Sequence, residues 1–426
     1  MPNTAAAPAA RPPHRLIVVY QMDPRGQKVG GIETHVRTLL ARRPDDFEVA
    51  LVGVDAVGDL PLGRPAPIEI AGRTLTFLPV LHYSDDKART AARSLTQSLS
   101  LQFATGLLRH LPAIRRLAGP GPVSFELQRN EAAFLPTLLR RPSVLVVHNE
   151  YKRSNSTDSL VSAYWRLYRA GEAFAIRRAD HIVCVNQAIR EQIARVYPRD
   201  LARSEVMSVS VDTDTFRPSP WDTTDGVLRL VYAGRLEAQK DPPLMFSTIA
   251  RLAERLAGKV ELHYIGTNDP HQYAEFAAIA DRTVRHGFRR SGEVAGILAR
   301  CHMGILTSNF EGLPVFLLET LAAGRPMAAI RLPQFDPLLV GGVSGRLVER
   351  RESLGRSADA MAEGIVALWD EMRTGALAPE RIAAKAEPYS VAAQLPRLFA
   401  THRRLQTARW GSIAGSAPAL TAPLRP

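Results

Sequence analysis

Cysteine is nearly absent: Cys184 and Cys301 are the only two in 426 residues. Both sit inside apolar runs, so neither a disulfide framework nor a zinc cluster organises the fold, and a reducing, cytoplasmic setting is expected. No apolar run approaches the roughly 18 residues needed to span a bilayer, so the chain is expected to be soluble or at most peripheral to a membrane. Residues 1–13 are rich in Ala and Pro, carry only Arg11 as a charge and lack an apolar core, so they read as a disordered leader and not as a secretory signal. Lysine is also scarce. Six lysines stand against 48 arginines, and the 54 basic residues exceed the 42 acidic ones for a net charge of +12. That balance permits polyanionic partners without naming one, because biased codon usage enriches Arg as well.

What is present is globular sequence, long enough for two or three domains. Short β-branched runs alternate with helical stretches in two series. The first is Arg15 to Tyr20, Glu48 to Val54, Val123 to Leu127, Ser143 to His148 and His181 to Val185. The second is Leu228 to Ala233, Val260 to Ile265, Thr283 to Phe288, Met303 to Thr307 and Pro326 to Arg331. Such alternation predicts two α/β units in tandem, each a parallel sheet with crossover helices. Residues 212–225 between them hold Pro218 and Pro220 and no apolar periodicity, which is linker composition. The expected domains are therefore 14–211 and 226–390. Residues 391–410 place Leu395, Leu398, Phe399, His402 and Leu405 at helical spacing, predicting a helix that packs back on the body. Residues 411–426, with Arg425 as their one charge, read as a disordered tail.

The chemistry gathers at strand ends. After the first run a loop closes with Gly30-Gly31 and opens a helix at Ile32-Glu33-Thr34-His35-Val36. A glycine pair there lets backbone N–H groups approach a phosphate, although the same pair serves ordinary turns. The three-glycine dinucleotide fingerprint is missing, which argues against an NAD enzyme. In the second unit Gly234-Arg235-Leu236-Glu237-Ala238-Gln239-Lys240 puts two cations at a strand's C-terminal end, the edge where open α/β sheets bind ligands. Arg235 can fork onto two phosphate oxygens while Lys240 adds a mobile point charge, a pairing suited to a diphosphate; a solvated basic turn is equally consistent with this piece by itself.

The most specific segment runs from Thr307 through Ser308-Asn309-Phe310-Glu311-Gly312-Leu313-Pro314 to Glu319. Gly312 loosens the loop, Pro314 suits a helix's first turn, and free N–H groups at that start can hold phosphate. Glu319 falls roughly 9 Å further along at about 1.5 Å per residue. A carboxylate accepts two hydrogen bonds from a vicinal diol, so Glu319 suits a ribose and Glu311 is left to face whatever the distal phosphate carries. The alternative is an amphipathic helix with a solvated Glu.

As an ordered set these pieces resemble the retaining glycosyltransferases of family four, which have the GT-B fold. The set comprises the Glu311 and Glu319 pair with seven residues between, the Gly-Arg-Leu-x-x-x-Lys turn and the Gly30 to His35 loop. It also includes Ala179-Asp180-His181-Ile182-Val183-Cys184-Val185-Asn186 and the junction Val211-Asp212-Thr213-Asp214-Thr215-Phe216-Arg217-Pro218. The resemblance spans roughly residues 15 to 405. It implies two Rossmann-like, doubly wound α/β domains facing a central cleft and a nucleotide-diphosphate sugar as donor. Arg235 and Lys240 would then hold the diphosphate with Gly312, Leu313 and Pro314, Glu319 the ribose, and Glu311 the transferred sugar. Gly31 would approach the phosphates from the opposite domain, and His148 would lie near sugar and acceptor, Glu311 and His148 being the catalytic pair. Two cations plus N–H donors could neutralise the leaving group without a divalent ion, so no metal and no cofactor are expected. Asp212-Thr213-Asp214 has the form of another glycosyltransferase fold's metal signature, but it lies in the linker and is read as structural. Two stretches depart from the family pattern: Ser208-Val209-Ser210, where Pro-Asn-Gly is usual, and Leu332-Pro333-Gln334-Phe335 in place of a Gly-rich turn.

The implied activity is hexosyl transfer with retention to a glycan or lipid-linked acceptor in cell-surface polysaccharide synthesis. A nucleotide-sugar epimerase of the same fold and a non-catalytic binding module are the competing readings. Between residues 87 and 117 lie Lys87, Arg89, Arg93, Arg109, Arg115 and Arg116 with no acidic residue, alongside Leu95, Leu99, Phe103, Leu107, Leu111 and Ile114 at near-helical spacing. This segment either lies on the anionic inner face of a membrane, at about 1 kcal/mol per basic residue, or packs its apolar stripe on the sheet. No run of aromatics interleaves the charges as stacking platforms, so nucleic acid is not an expected partner.

Overall fold

Runs such as Leu16 to Val19 and Val144 to Val147 have no polar face, which suits strands covered on both sides. The computed structural model, which describes residues 14–27, 30–84, 97–148 and 164–411, places them at the centre of a sheet. The leader 1–13, the tail beyond Gly411, and Lys87, Arg89, Arg93 and Leu95 lie outside the described residues.

The N-terminal lobe is built on β1 (His14–Val19), β2 (Phe47–Asp55), β3 (Ala66–Ile70), β4 (Arg73–His82), β5 (Val123–Leu127), β6 (Ser143–Val147), β7 (His181–Cys184) and β8 (Ser204–Val206), in the order β3-β4-β2-β1-β5-β6-β7-β8. The C-terminal lobe has β9 (Leu228–Ala233), β10 (Val260–Ile265), β11 (Thr283–Gly287), β12 (Met303–Leu306), β13 (Met327–Ile330) and β14 (Gly345–Val348), in the order β11-β10-β9-β12-β13-β14. Strand order reverses between β1 and β5 and again between β9 and β12. At such switch points the loops leaving neighbouring strands diverge, and a crevice opens at the strands' C-terminal ends. The two crevices face one another.

The expected tandem of parallel units is present, with four strands that the run pattern passed over, β3, β4, β8 and β14. The β3–β4 pair is antiparallel, with Ile68 opposite Leu75. Its turn, Ala71-Gly72, has both residues at positive φ, and only one side of β3 is buried, so its apolar content is diluted by solvent-facing residues. Strand β8 holds three residues, too short to leave a periodic signal, and β14 opens with Gly345-Arg346 and buries only its end residues fully, so it forms no apolar run. Both cysteines are buried free thiols, and burial pushes each up to about 12.

The helix Val391–Trp410 starts in the C-terminal lobe, where Val211 pairs with Ser390, and crosses back to the N-terminal lobe. Ser390 caps it by accepting from the Ala393 N–H. Leu395, Leu398, Phe399 and His402 are buried, as the spacing predicted, and Arg403 clasps Asp46 through two bonds of 2.7 and 2.8 Å. In the basic segment, the helices Leu99–Arg109 and Leu111–Ala118 bury Phe103, Leu107 and Ile114 beside β4. The apolar stripe is therefore used inside the lobe, leaving Leu101, Leu108, Arg109, Arg115 and Arg116 outward. Among the described residues no helix is long and apolar enough to cross a membrane.

The linker is tied to the C-terminal lobe by Arg325, which is fully buried. Its guanidinium donates to the carbonyls of Cys301 at 2.8 Å, Ala299 at 2.8 Å and Ser219 at 2.5 Å, and to Ser219 Oγ at 2.9 Å. Burial lowers its proton affinity to about 10, so it remains charged at neutral pH. Replacing it strands several buried carbonyls, each worth about 1–3 kcal/mol. Arg325→Met should lower the stability of the C-terminal lobe by at least about 3 kcal/mol in a urea titration, and a loss below about 1 kcal/mol would contradict this anchoring role.

Candidate active site

Strands β9 and β12 are hydrogen-bonded neighbours, with Leu230 opposite Met303, so the loops that leave them emerge side by side. The β9 loop turns at Gly234, whose φ of +156° and closeness to the Tyr232 hydroxyl leave no room for a side chain. It ends at Asp241, which accepts from the Leu244 N–H and starts the helix Pro242–Arg255 with proline in its first turn. The β12 loop is stitched to it. Asn309 N–H donates to the Gln239 carbonyl at 2.8 Å, Gln239 Nε2 to the Phe310 carbonyl at 2.8 Å, and Thr307 Oγ1 to the Lys240 carbonyl at 2.8 Å. Two motifs that sequence separates by some seventy residues therefore form one surface.

On that surface Lys240 Nζ lies 2.5 Å from Glu311 Oε1, and Ser308 Oγ donates to the same oxygen at 2.7 Å. Gln334 Nε2 donates to the Glu311 carbonyl at 2.6 Å, which fixes the loop from behind. Arg235 is half exposed and pairs with Glu237 at 2.7 Å. The helix Val315–Ala322 begins after Pro314, and all eight of its residues are buried. Glu319 is thus not a solvated residue on an amphipathic face: it is 8% exposed, and burial pushes its carboxyl up to about 7.

The opposite wall comes from the N-terminal lobe. Gly30 caps the helix Gly31–Ala41, and Gly31 faces Val315 across the cleft, where a Cβ would make an ordinary 3.6 Å contact with its methyl group. His148 follows β6, is 8% exposed, and is bonded at 2.6 Å to Gln128. Burial, with His35 adding to it, lowers the ring's proton affinity to about 3, so His148 is neutral across the working range. The lobes touch at Gly312, where any Cβ would overlap the His148 carbonyl oxygen, while Asn186 Nδ2 donates to the Gly312 carbonyl at 2.8 Å. Every residue expected in the site, namely Gly31, His148, Arg235, Lys240, Glu311, Gly312, Leu313, Pro314 and Glu319, lines one interlobe cavity of about 230 Å³.

Residues 29–215 match the family model described as Glycosyltransferase Family 4, and residues 228–371 match the one described as Glycosyl transferases group 1. The chain belongs to glycosyltransferase family four. It is 24% identical to the D-inositol 3-phosphate glycosyltransferase of Mycobacterium marinum, over 85% of this chain and 89% of that one. Otherwise it spans about half the length of the curated relatives it matches. Among solved structures it is similar to sucrose-phosphate synthase from Thermosynechococcus elongatus (TM-score 0.71, 14% identity, 93% of this chain and 100% of that one). It is also similar to Anabaena HepE in complex with UDP-glucose (TM-score 0.66, 15% identity, 91% of this chain and 98% of that one). These likenesses establish the GT-B fold.

Several residues of this family-four site were not singled out by sequence. His35 is buried against His148, ring centroids 6.2 Å apart, with Nδ1 unpartnered. Gln334, in one of the two stretches that depart from the family pattern, braces Glu311, and Asn186 spans the lobes; each sat inside a quoted motif, but nothing in a linear motif says which way a side chain turns. Asp212 bonds the Asp214 N–H and the Thr215 hydroxyl and pairs with Arg42 at 2.8 Å, the structural role expected of it.

Two predictions follow from this geometry. Gly312→Ala must part the lobes or shift the His148 backbone, and should cost about 1–3 kcal/mol, readable as a lower unfolding midpoint. The raised Glu319 carboxyl takes up a proton on folding, so in the empty protein stability falls as pH rises from about 4.5 to about 7. Glu319→Gln should therefore stabilise the empty protein by roughly 3 kcal/mol at pH 8 and flatten that pH dependence; an unchanged profile would contradict the assignment.

Proposed function

We propose that this family-four chain transfers a hexosyl group from a nucleotide-diphosphate sugar to a glycan or lipid-linked acceptor with retention of anomeric configuration, in cell-surface polysaccharide synthesis. One observation carries the reading: the cation suited to the diphosphate, Lys240, and the carboxylate suited to the sugar, Glu311, stand 2.5 Å apart on one surface with Arg235 and a helix start beside them. A donor whose diphosphate displaced Glu311 from Lys240 would bring its sugar beside the freed carboxylate. The buried Glu319 would take the ribose diol through its two oxygens. The UDP-glucose in the HepE complex supports a nucleotide-sugar donor of this kind.

The barrier to transfer lies in breaking the anomeric C–O bond as negative charge grows on the departing diphosphate. Arg235, Lys240 and the N–H groups at Val315 and Phe316 would stabilise that charge, each charge-assisted bond contributing about 1.5–3 kcal/mol. That supply supports turnover without a divalent ion. The neutral His148 offers the sugar a hydrogen bond and no competing charge. Retention fits attack by the acceptor on the face the leaving group vacates, its proton passing to the phosphate; no protein nucleophile is assigned.

An epimerase would need carboxylates on the N-terminal wall. Among the described residues none lines it, and Glu33 is bonded to the Tyr20 hydroxyl at 2.8 Å. With its stripe packed inward, attachment to an anionic membrane would rest on Arg109, Arg115 and Arg116 with Leu101 and Leu108.

Thermal-shift screening against UDP, GDP, ADP and their sugar conjugates should reveal stabilisation by one nucleotide series. With that donor, Glu311→Ala and Lys240→Ala should each lower turnover by about a hundredfold or more. Undiminished turnover in both variants would overturn the reading.

A further inference from the structure

His148 is the cleft end of a buried polar chain that runs through the N-terminal lobe to the C-terminal helix. Its Nε2 lies 2.6 Å from Gln128 Oε1, and Gln128 Nε2 lies 2.5 Å from Glu126 Oε1. Glu126 Oε2 is 3.2 Å from His402 Nε2, and His402 Nδ1 is 2.8 Å from Ser124 Oγ. Gln406 Nε2 donates to Ser124 Oγ at 2.9 Å and to the Arg15 carbonyl at 2.7 Å, while its Oε1 meets His14 Nδ1 at 2.7 Å. Glu126, Ser124, His402, Gln406 and His14 have no solvent exposure, and Gln128 has 2%. His402 and Gln406 are one helical turn apart on the same face of Val391–Trp410.

The donors and acceptors allow one consistent direction. A carboxylate only accepts, so Gln128 must turn its NH₂ toward Glu126 and its oxygen toward His148. His148 must then carry its proton on Nε2, which leaves Nδ1 as a bare acceptor on a residue that lines the cleft. The arrangement holds as long as Glu126 stays a carboxylate, and in full burial that requires the N–H of His402.

We propose that His402 and Gln406 of the C-terminal helix are positioning residues for His148, fixing its Nε2–H tautomer through Glu126 and Gln128 so that Nδ1 accepts a hydrogen bond from a ligand hydroxyl in the cleft. The catalytic meaning of this rests on the donor site proposed above; the tautomer does not. Without His402, Glu126 keeps one donor in a dry site. Its protonation would let Gln128 turn its amide over, and His148 would receive a donor where it had an acceptor.

The test uses the full chain labelled with ¹⁵N-histidine, with two-bond ¹H–¹⁵N correlation spectra and His148 assigned by its loss in His148→Gln. Wild type should show a single Nε2–H pattern. Gln128→Met and His402→Leu should lose it for a mixed or Nδ1–H pattern, whereas His402→Gln, which keeps an N–H toward Glu126, should retain it. If His402→Leu does not fold, Glu126→Gln, nearly identical in shape, replaces it and should scramble the pattern likewise. An Nδ1–H pattern in wild type, or an unaltered one in the Gln128 variant and in whichever second variant folds, would overturn the proposal. Thermal shifts with UDP, GDP and ADP on the same samples separate the two readings. Failure of all three to stabilise wild type defeats the donor site and leaves the tautomer result standing, while stabilisation with an unaltered tautomer pattern in the variants defeats the relay alone.

Discussion

The contact between Lys240 and Glu311 organises the cleft. It joins the loop of β9 to the loop of β12 at the point where the strand order reverses, and it holds a cation and a carboxylate in the mouth between the lobes with each neutralising the other. A buried or half-buried charge needs a partner, and Lys240 and Glu311 supply one another's. In the proposed donor site an anionic ligand would compete with Glu311 for that cation, so filling the cleft and rearranging the pair would be one event. The bonds that stitch residues 238–241 to 307–310 hold both loops in place independently of that pair.

Elsewhere in the site the chain tolerates groups that a purely stabilising sequence would avoid. Glu319 is a carboxyl buried among the apolar residues of its helix, His148 and His35 are imidazoles kept neutral by burial, and Gly312 surrenders a side chain so that two lobes can meet. These features all line or back the same cavity, which is how local departures from stability mark a functional surface. The long C-terminal helix compensates for some of this, because its two bonds to Asp46 and its buried His402 and Gln406 bind the N-terminal lobe from behind.

Much of this was legible in the sequence because it depends on short-range pattern. Parallel strands buried on both faces announce themselves as Val/Ile/Leu runs, and a Gly-Arg turn at a strand end is a local signal. The convergence of Arg235, Lys240, Glu311 and Glu319 was implied by the resemblance to family four, and it fits the rule that strand ends on one edge of a sheet are neighbours. What escaped depends on side-chain direction. His402 read as one more member of an apolar stripe, and only its approach to Glu126 reveals it as part of a polar chain. Glu126 lies on β5 and Gln128 just past its end, where the neighbouring residues conceal them; β8 was too short to signal and β14 too mixed in character. The stripe from Leu99 to Ile114 could face lipid or protein by its pattern, and packing against β4 decided it.

The central claim is that a diphosphate is cupped by Arg235, Lys240 and the start of the helix Val315–Ala322. Calorimetric titration with matched nucleoside mono- and diphosphates, in buffer containing EDTA, tests it most directly. The account predicts that the diphosphate of the preferred base binds about tenfold to a hundredfold more tightly than its monophosphate, from one or two further charge-assisted bonds, and does so with metal chelated. Equal affinity for the two, or binding that vanishes with EDTA, would contradict it.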